Sequence, residues 1–135
     1  VVVTHTSGSV VVLVVSERSI YRRDVFYIWM KKLSLLTIAG SDSGGGAGLQ
    51  ADVKTFAAHR FHGVSVITAV TSQNTLGVQS ILPLDEKVVV DQLESVCSDF
   101  DLCFAKTGML YSPETIEVVR DCLVKYDIPF VVDPV

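Results

Sequence analysis

Cysteine, proline and clustered positive charge are all scarce in this chain, and the scarcity of cysteine and of clustered charge each removes a class of protein. The three cysteines, Cys97, Cys103 and Cys122, form no C-x-x-C pair and have no histidine at ligand spacing, which argues against a disulfide framework and a zinc site. They read as reduced, mostly buried thiols of a cytosolic protein. Eleven Lys and Arg are scattered among fifteen Asp and Glu, for a net charge of -4, with no basic stripe and no basic run interleaved with aromatics. Attraction to a phosphate backbone is not built in, so nucleic acid is not an expected partner. The longest apolar run of the first thirty residues, Val10 to Val15, is far short of the roughly 20 residues a membrane span requires, and no membrane partner is expected. The low hydrophobicity of disordered chains is missing as well: 135 residues at 49% hydrophobic and 19% charged suit one globular core, a domain or part of one.

Residues 1–29 do not resemble the rest of the chain. Their arginines, Arg18, Arg22 and Arg23, come after the apolar stretch, the reverse of a secretory signal, while a mitochondrial presequence stays open as a reading. Met30-Lys31-Lys32 looks like an ordinary protein start, which makes 1–29 an expected extension, disordered and foreign to a domain spanning 30–135.

From residue 33 the chain alternates. Leu33 to Ala39 is an apolar run ending at Gly40, consistent with a buried strand, and Gly48 to Arg60 places Leu49, Val53, Phe56 and Ala57 on one helical face. Val64 to Thr71 is rich in β-branched residues and reads as a second strand, with Val78 to Leu82 a short third. Asp85 is placed to cap a helix carrying Val89, Leu93 and Val96, and Leu102 to Ala105 is the next strand. Ser112-Pro113-Glu114 combines a cap, a first-turn proline and an acid at the positive end of the dipole, ahead of a stripe of Ile116, Val119, Leu123 and Tyr126. Phe130 to Val132 begins a last strand, expected to present an open apolar edge. Strands alternating with helices of this length imply an α/β fold, a mainly parallel sheet with helices on both faces.

In such sheets ligands bind beyond the carboxyl ends of the strands. Four stretches follow a predicted strand there: Gly40-Ser41-Asp42, Thr71-Ser72-Gln73-Asn74, Lys106-Thr107-Gly108-Met109 and Asp133-Pro134. Loops are polar in any case, but four together favour a pocket. The glycines between Asp42 and Asp52 are not a P-loop, since no lysine follows them. Gly46 to Ala51 satisfies the dinucleotide pattern formally, yet the acid expected at the end of the second strand is absent. Asp52, placed in the first turn or so of the helix, would occupy the field a pyrophosphate needs, so it favours a ligand with N–H or O–H donors; a plain helix-dipole residue is the alternative. Gln73 both donates and accepts, which beside a carboxylate suits a heteroaromatic ring with amino and ring-nitrogen groups, or else it is a solvated amide. Lys106 is the strand-end cation placed to orient a phosphate, with a surface lysine as the other reading. His59 and His62 have no carboxylate or cysteine beside them, so no metal site is expected.

The stretches AGSDSGGGAG with QAD, T-x-QNT-x-GVQ, K-x-GML and DPV occur in this order across residues 33–135. Together they resemble the N-terminal half of the hydroxymethylpyrimidine/phosphomethylpyrimidine kinases, a family of the ribokinase-like superfamily. The resemblance implies a ribokinase-like fold, incomplete here, and pyrimidine binding through Gly40, Ala47, Asp52, Gln73, Met109 and Val135. Met109 would pack on the ring; a core methionine is the alternative. It also implies phosphorylation of hydroxymethylpyrimidine and its monophosphate with ATP and Mg2+, thiamine biosynthesis as the context, and a homodimer at full length. The nucleotide site, the anion hole and the catalytic Cys or Asp of the family belong to its C-terminal half. No catalytic residue is therefore expected in these 135 residues, which alone are expected to be inactive and poorly folded. Two departures stand out, Ser43-Gly44 for the usual Pro-Ser and Thr107 for Ile. A pyridoxal kinase of the same superfamily and a non-catalytic pyrimidine-binding sensor are the other readings of the same motifs.

Overall fold

The computed structural model describes residues 34–134 and the backbone of a two-residue antiparallel pair, Val2–Val3 with Val12–Leu13. The rest of the extension expected over 1–29, the start at Met30, and Val135 lie outside the described residues.

In chain order the elements are β1 (Ser34–Ala39), α1 (Gly48–Ala58), β2 (His62–Ile67), β3 (Ala69–Asn74), β4 (Gly77–Pro83), α2 (Glu86–Cys97), β5 (Leu102–Thr107), α3 (Pro113–Lys125) and β6 (Phe130–Val132). β1 pairs in parallel with β2 on one side and β5 on the other, and β6 lies outside β5, giving the order β2-β1-β5-β6. Alternate residues of a strand face opposite ways. Leu36 and Ile38 therefore join Val64, Val66 and Ala105 in a core covered by Val89 and Leu93 of α2 and by Val119 and Leu123 of α3. Thr37, between them, faces the other way and meets α1. Helices thus cover both faces of a parallel sheet, as the alternation predicts. Full burial of a Leu or Ile side chain is worth about 1.5–3 kcal/mol, so this one-sided cluster is the main source of cohesion.

The helix starts follow the local chemistry. The Asp85 carboxylate accepts from Lys87 N at 2.8 Å, and the Ser112 hydroxyl accepts from Thr115 N at 3.1 Å, with Pro113 in the first turn. On α3 the buried stripe is Thr115, Val119, Cys122 and Leu123, while Ile116 is 52% exposed. The stripe is displaced from the expected one because the Ser112 cap turns Thr115 inward, leaving Ile116 on the solvent side. α1 ends two residues before the expected Arg60, which takes a left-handed φ of 66° and breaks the helix. Leu49, Val53 and Phe56 are half-buried and Ala57 is exposed, so α1 contributes a shallower face than its spacing suggests. Cys103 is exposed rather than buried, because the pairing of β5 with β1 shifts register there, from Leu102 opposite Ser34 to Phe104 opposite Leu35, and breaks the alternation that would turn it inward with Ala105.

The larger correction concerns residues 64–83. The expected single strand from Val64 to Thr71 is broken at Thr68, whose N–H donates to Ala39 O and whose carbonyl accepts from Leu84 N. Beyond the break, β3 leaves the sheet and pairs antiparallel with β4 as a separate hairpin. Ser72 to Asn74, expected beyond the strand end, are strand residues. An available signal was the turn itself: Asn74 Oδ1 accepts from Leu76 N at 2.9 Å, and Gly77 has a φ of 146°. The exposed side of β2 is closed by Gln92 of α2, whose amide accepts from Ile67 N at 2.9 Å and donates to Ile67 O at 3.0 Å. That device blunts a strand edge.

Candidate functional site

The loop between β1 and α1 is organised by Asp42. The residue is 4% exposed, and a buried carboxylate needs donors. Oδ1 accepts from Gly44 N at 2.7 Å, and Oδ2 accepts from Gly46 N and Ala47 N, each at 2.8 Å. Gly45 N donates to the Asp42 carbonyl at 2.9 Å. Burial pushes the Asp42 carboxyl up, but the N–H groups of Ala47, Gly44, Gly46 and Gly45 prevail and hold it below the usual carboxylate range. Four consecutive main-chain donors are thereby consumed by the protein itself. Bare backbone is needed where the chain approaches most closely: a Cβ on Gly44 would stand 3.1 Å from Asp42 Oδ1. Gly48, at a φ of 57°, lies so near the Gly40 carbonyl that a Cβ would stand 2.5 Å from that oxygen. Gln50 Oε1 accepts from Asp42 N at 2.7 Å and closes the turn from the helix side.

The case against a bound polyphosphate therefore rests on Asp42, whereas the sequence pointed to Asp52. Asp52 falls beyond the first turn of α1, which holds no acidic residue. Instead it looks down on the sheet, where Oδ2 accepts from Thr37 Oγ1 at 2.6 Å and from Lys106 Nζ at 3.2 Å. Lys106 also lies 3.4 Å from Asp133 Oδ2, and its side chain is 27% exposed. It is ion-paired between two carboxylates, unlike a free surface lysine.

Of the other residues singled out by sequence, Gly40 and Met109 touch. Gly40 N donates to Met109 O at 3.2 Å, and a Cβ on Gly40 would stand 2.5 Å from Met109 Cε. Ala47 is the N-cap residue of α1 and a donor to Asp42. Gln73 is half-buried on β3, bound to the glycine loop through its main chain: Ser43 Oγ donates to Gln73 O at 2.6 Å and accepts from Gln73 N at 2.7 Å. Two residues earlier, the Thr71 hydroxyl donates to Ser41 O at 2.7 Å and the Thr71 N–H to Ser41 Oγ at 3.2 Å. The hairpin is thus stitched to the loop by Ser41, Ser43 and Thr71. Ser43, a departure from the family pattern, supplies two of the stitches. The strand ends beyond β1 and β5, together with the hairpin, meet around residues 40–48, and Asp133 after β6 joins through Lys106. Val135 is outside the described residues.

Two hollows of about 390 and 290 Å³ lie elsewhere, the first between Thr68, Leu84, Asp85 and Tyr111, the second between Cys97, Phe100, Cys103 and Tyr126. Neither is lined by the residues of the glycine loop or by Asp52, Gln73, Lys106 and Met109. Among the described residues no three of His, Cys, Asp and Glu gather as a metal site, and His62 is stacked on Phe100 at 5.7 Å. The glycine loop, with its donors taken, does not fit as a cradle for a triphosphate.

Solved structures of this shape include small-molecule kinases, and the fold class is ribokinase-like. A crystal structure of phosphomethylpyrimidine kinase from Clostridium difficile 630 matches at a TM-score of 0.73 and 51% identity, covering 77% of this chain and 46% of that one. A Staphylococcus aureus pyridoxal kinase in complex with AMP-PCP and pyridoxal matches at 0.70 and 37%, covering 76% and 39%. In sequence, the hydroxymethylpyrimidine/phosphomethylpyrimidine kinase of Haemophilus influenzae is 56% identical over 104 residues, 75% of this chain and 38% of that protein. The family model described as phosphomethylpyrimidine kinase matches residues 42–135, and the chain belongs to that family. It spans under half the length of these relatives.

Proposed function

We infer that this chain forms the pyrimidine-binding part of an ATP-dependent kinase. The kinase phosphorylates 4-amino-5-hydroxymethyl-2-methylpyrimidine and then its monophosphate, in thiamine biosynthesis. The observation that carries the reading is the glycine loop whose donors are consumed by Asp42, leaving an acceptor, Asp52, rather than an anion cradle beside it. Such a rim suits a neutral ring rich in N–H donors. Asp52 accepts from the ring, the Gln73 amide pairs with it, Met109 packs on its face, and Gly40, Ala47 and Val135 border it. Lys106 orients a phosphate on the hydroxymethyl group, which competes with Asp52 and Asp133 for its ammonium. ATP supplies the phosphoryl group with Mg2+, and the residues that hold them belong mostly to the C-terminal half of the family. Phosphoryl transfer depends on positioning and charge stabilisation, so these residues alone are expected to be inactive. The working enzyme is a homodimer at the full length its gene encodes.

Pyridoxal kinase is the second reading, favoured by the likeness to the Staphylococcus aureus enzyme. Turnover of the two alcohols by the full-length gene product separates them. A kcat/KM at least roughly tenfold higher for the pyrimidine is expected, and preference for pyridoxal would overturn the proposal.

A further inference from the structure

Thr37 lies in β1 with no exposed surface, and a buried hydroxyl requires a partner. That partner is Asp52 Oδ2, to which the hydroxyl donates at 2.6 Å. The parallel register sets Thr37 opposite Lys106 on β5, so both side chains rise from the same face of the sheet, toward α1. Lys106 Nζ reaches the same Oδ2 at 3.2 Å, and Asp133 Oδ2 stands 3.4 Å from that ammonium on its other side. One carboxylate oxygen thus receives a neutral donor from the middle strand and a cation from the next. Among the described residues no protein donor is assigned to the other oxygen, Oδ1.

Two donors from two strands, meeting on one atom, fix the carboxylate where a helix side chain alone would rotate. The Thr37 donor is itself fixed, because a β-branched residue inside a central strand has little choice of χ1. It cannot touch a ligand directly, since none of its surface is accessible.

We propose that Thr37 is a positioning residue for ligand recognition: with Lys106 it pins Oδ2 of Asp52 and presents Oδ1 to an N–H donor of an amino-substituted heteroaromatic ring. The proposal rests on the reading that Asp52 binds the pyrimidine. Its energetic content is preorganisation, because a carboxylate already held in place loses no freedom when the ring arrives.

The test is calorimetric binding of 4-amino-5-hydroxymethyl-2-methylpyrimidine, and separately of ADP, to the protein at the full length its gene encodes. Thr37→Val keeps the side-chain shape and removes the donor. It is expected to raise the pyrimidine dissociation constant about tenfold with ADP affinity unchanged. Thr37→Ser keeps the donor and loses a methyl, so it is expected to bind within about twofold of wild type while melting lower than wild type. That rescue is one a merely structural role would not give. Wild-type pyrimidine affinity in Thr37→Val, or an equal loss of ADP affinity, overturns the proposal. Asp52→Asn serves as the control. If it binds the pyrimidine as wild type does, the reading of Asp52 fails and takes the proposal with it; if it is impaired while Thr37→Val is not, only the proposal fails. Should Thr37→Val not fold, a crystal structure of the wild type with the pyrimidine decides. The ring on Oδ1 with Thr37 on Oδ2 supports the proposal, and the ring on Oδ2 overturns it.

Discussion

Replacing Gly48 by alanine sets two costs against the fold at one position. The backbone there has a φ of 57°, in the left-handed region, which costs an L-residue roughly 1–2 kcal/mol. The new Cβ would also stand 2.5 Å from the Gly40 carbonyl oxygen, 3.2 Å from Asp42 N and 3.4 Å from the Ser41 carbonyl carbon. All three are main-chain atoms, and Gly40 O is tied down by the N–H of Leu49 at 3.1 Å. None can swing aside, so overpacking adds about 1–3 kcal/mol, for a total of roughly 2–5 kcal/mol. In a protein as long as the kinase relatives each kcal/mol moves the melting midpoint by about 2–4 °C, so a fall of about 4 to 20 °C is expected. Two neighbours separate the contributions. Gly45 also has a positive φ, 70°, but its Cβ would meet the far end of the Lys54 side chain, at 2.9 Å, which can move. Gly45→Ala should therefore show the backbone cost alone, about 1–2 kcal/mol. Gly46 has no positive φ and would meet only Asp42 Oδ2 at 3.9 Å, so Gly46→Ala should be nearly silent, within about 0.5 kcal/mol. Thermal unfolding of the three variants at full length, followed by circular dichroism, is the measurement. A Gly48→Ala protein melting as high as Gly46→Ala would refute the claim that the close approach of residues 40 and 48 shapes this loop.

Gly40→Ala differs because its clash, 2.5 Å, is with the tip of Met109, which can turn away. Stability should change little while pyrimidine affinity falls several-fold, roughly 1 kcal/mol, as the methionine leaves the ring; unchanged calorimetric affinity would remove Met109 from the site. Asp42 has a folded-state pKa below its ordinary 3.8, so the stability it contributes is present above that value and is lost as the pH falls below it toward the folded pKa. Asp42→Asn should lower stability at pH 7 and flatten the acid limb of the melting temperature below pH 4, whereas an acid limb identical to wild type would show that the carboxylate does not hold the loop. Burial, with Cys122 beside it at 3.9 Å, pushes the Cys97 thiol up to about 12, and burial raises Cys122 as well. Iodoacetamide at pH 8 should label exposed Cys103 at least about a hundredfold faster than Cys97, read by peptide mass spectrometry, and comparable rates would contradict the packing of α2 on α3.

The features legible in the amino-acid sequence are those settled within a few residues along the chain. The caps at Asp85 and Ser112, the helix period of α2, and the apolar run of β1 are decided by neighbours within a turn or a strand, so they can be read directly. The motif residues were legible too, because glycines and acids in a fixed order limit what the backbone between them can do. The remaining features depend on partners far apart in sequence. Val64 to Thr71 is rich in β-branched residues and reads as one strand, yet Thr68 breaks it because its N–H and carbonyl are claimed by Ala39 and Leu84. Asp42 and Asp52 look alike beside the glycines, and only the folded loop shows that the first satisfies the protein's own N–H groups while the second turns to the sheet. Thr37 is inconspicuous in an apolar run. Its partner is 15 residues away and the lysine sharing that carboxylate is 54 from it, separations at which no local pattern carries information. Only the parallel register of β1 and β5, fixed by burial of Leu36, Ile38 and Ala105 on the opposite face, brings the three groups together.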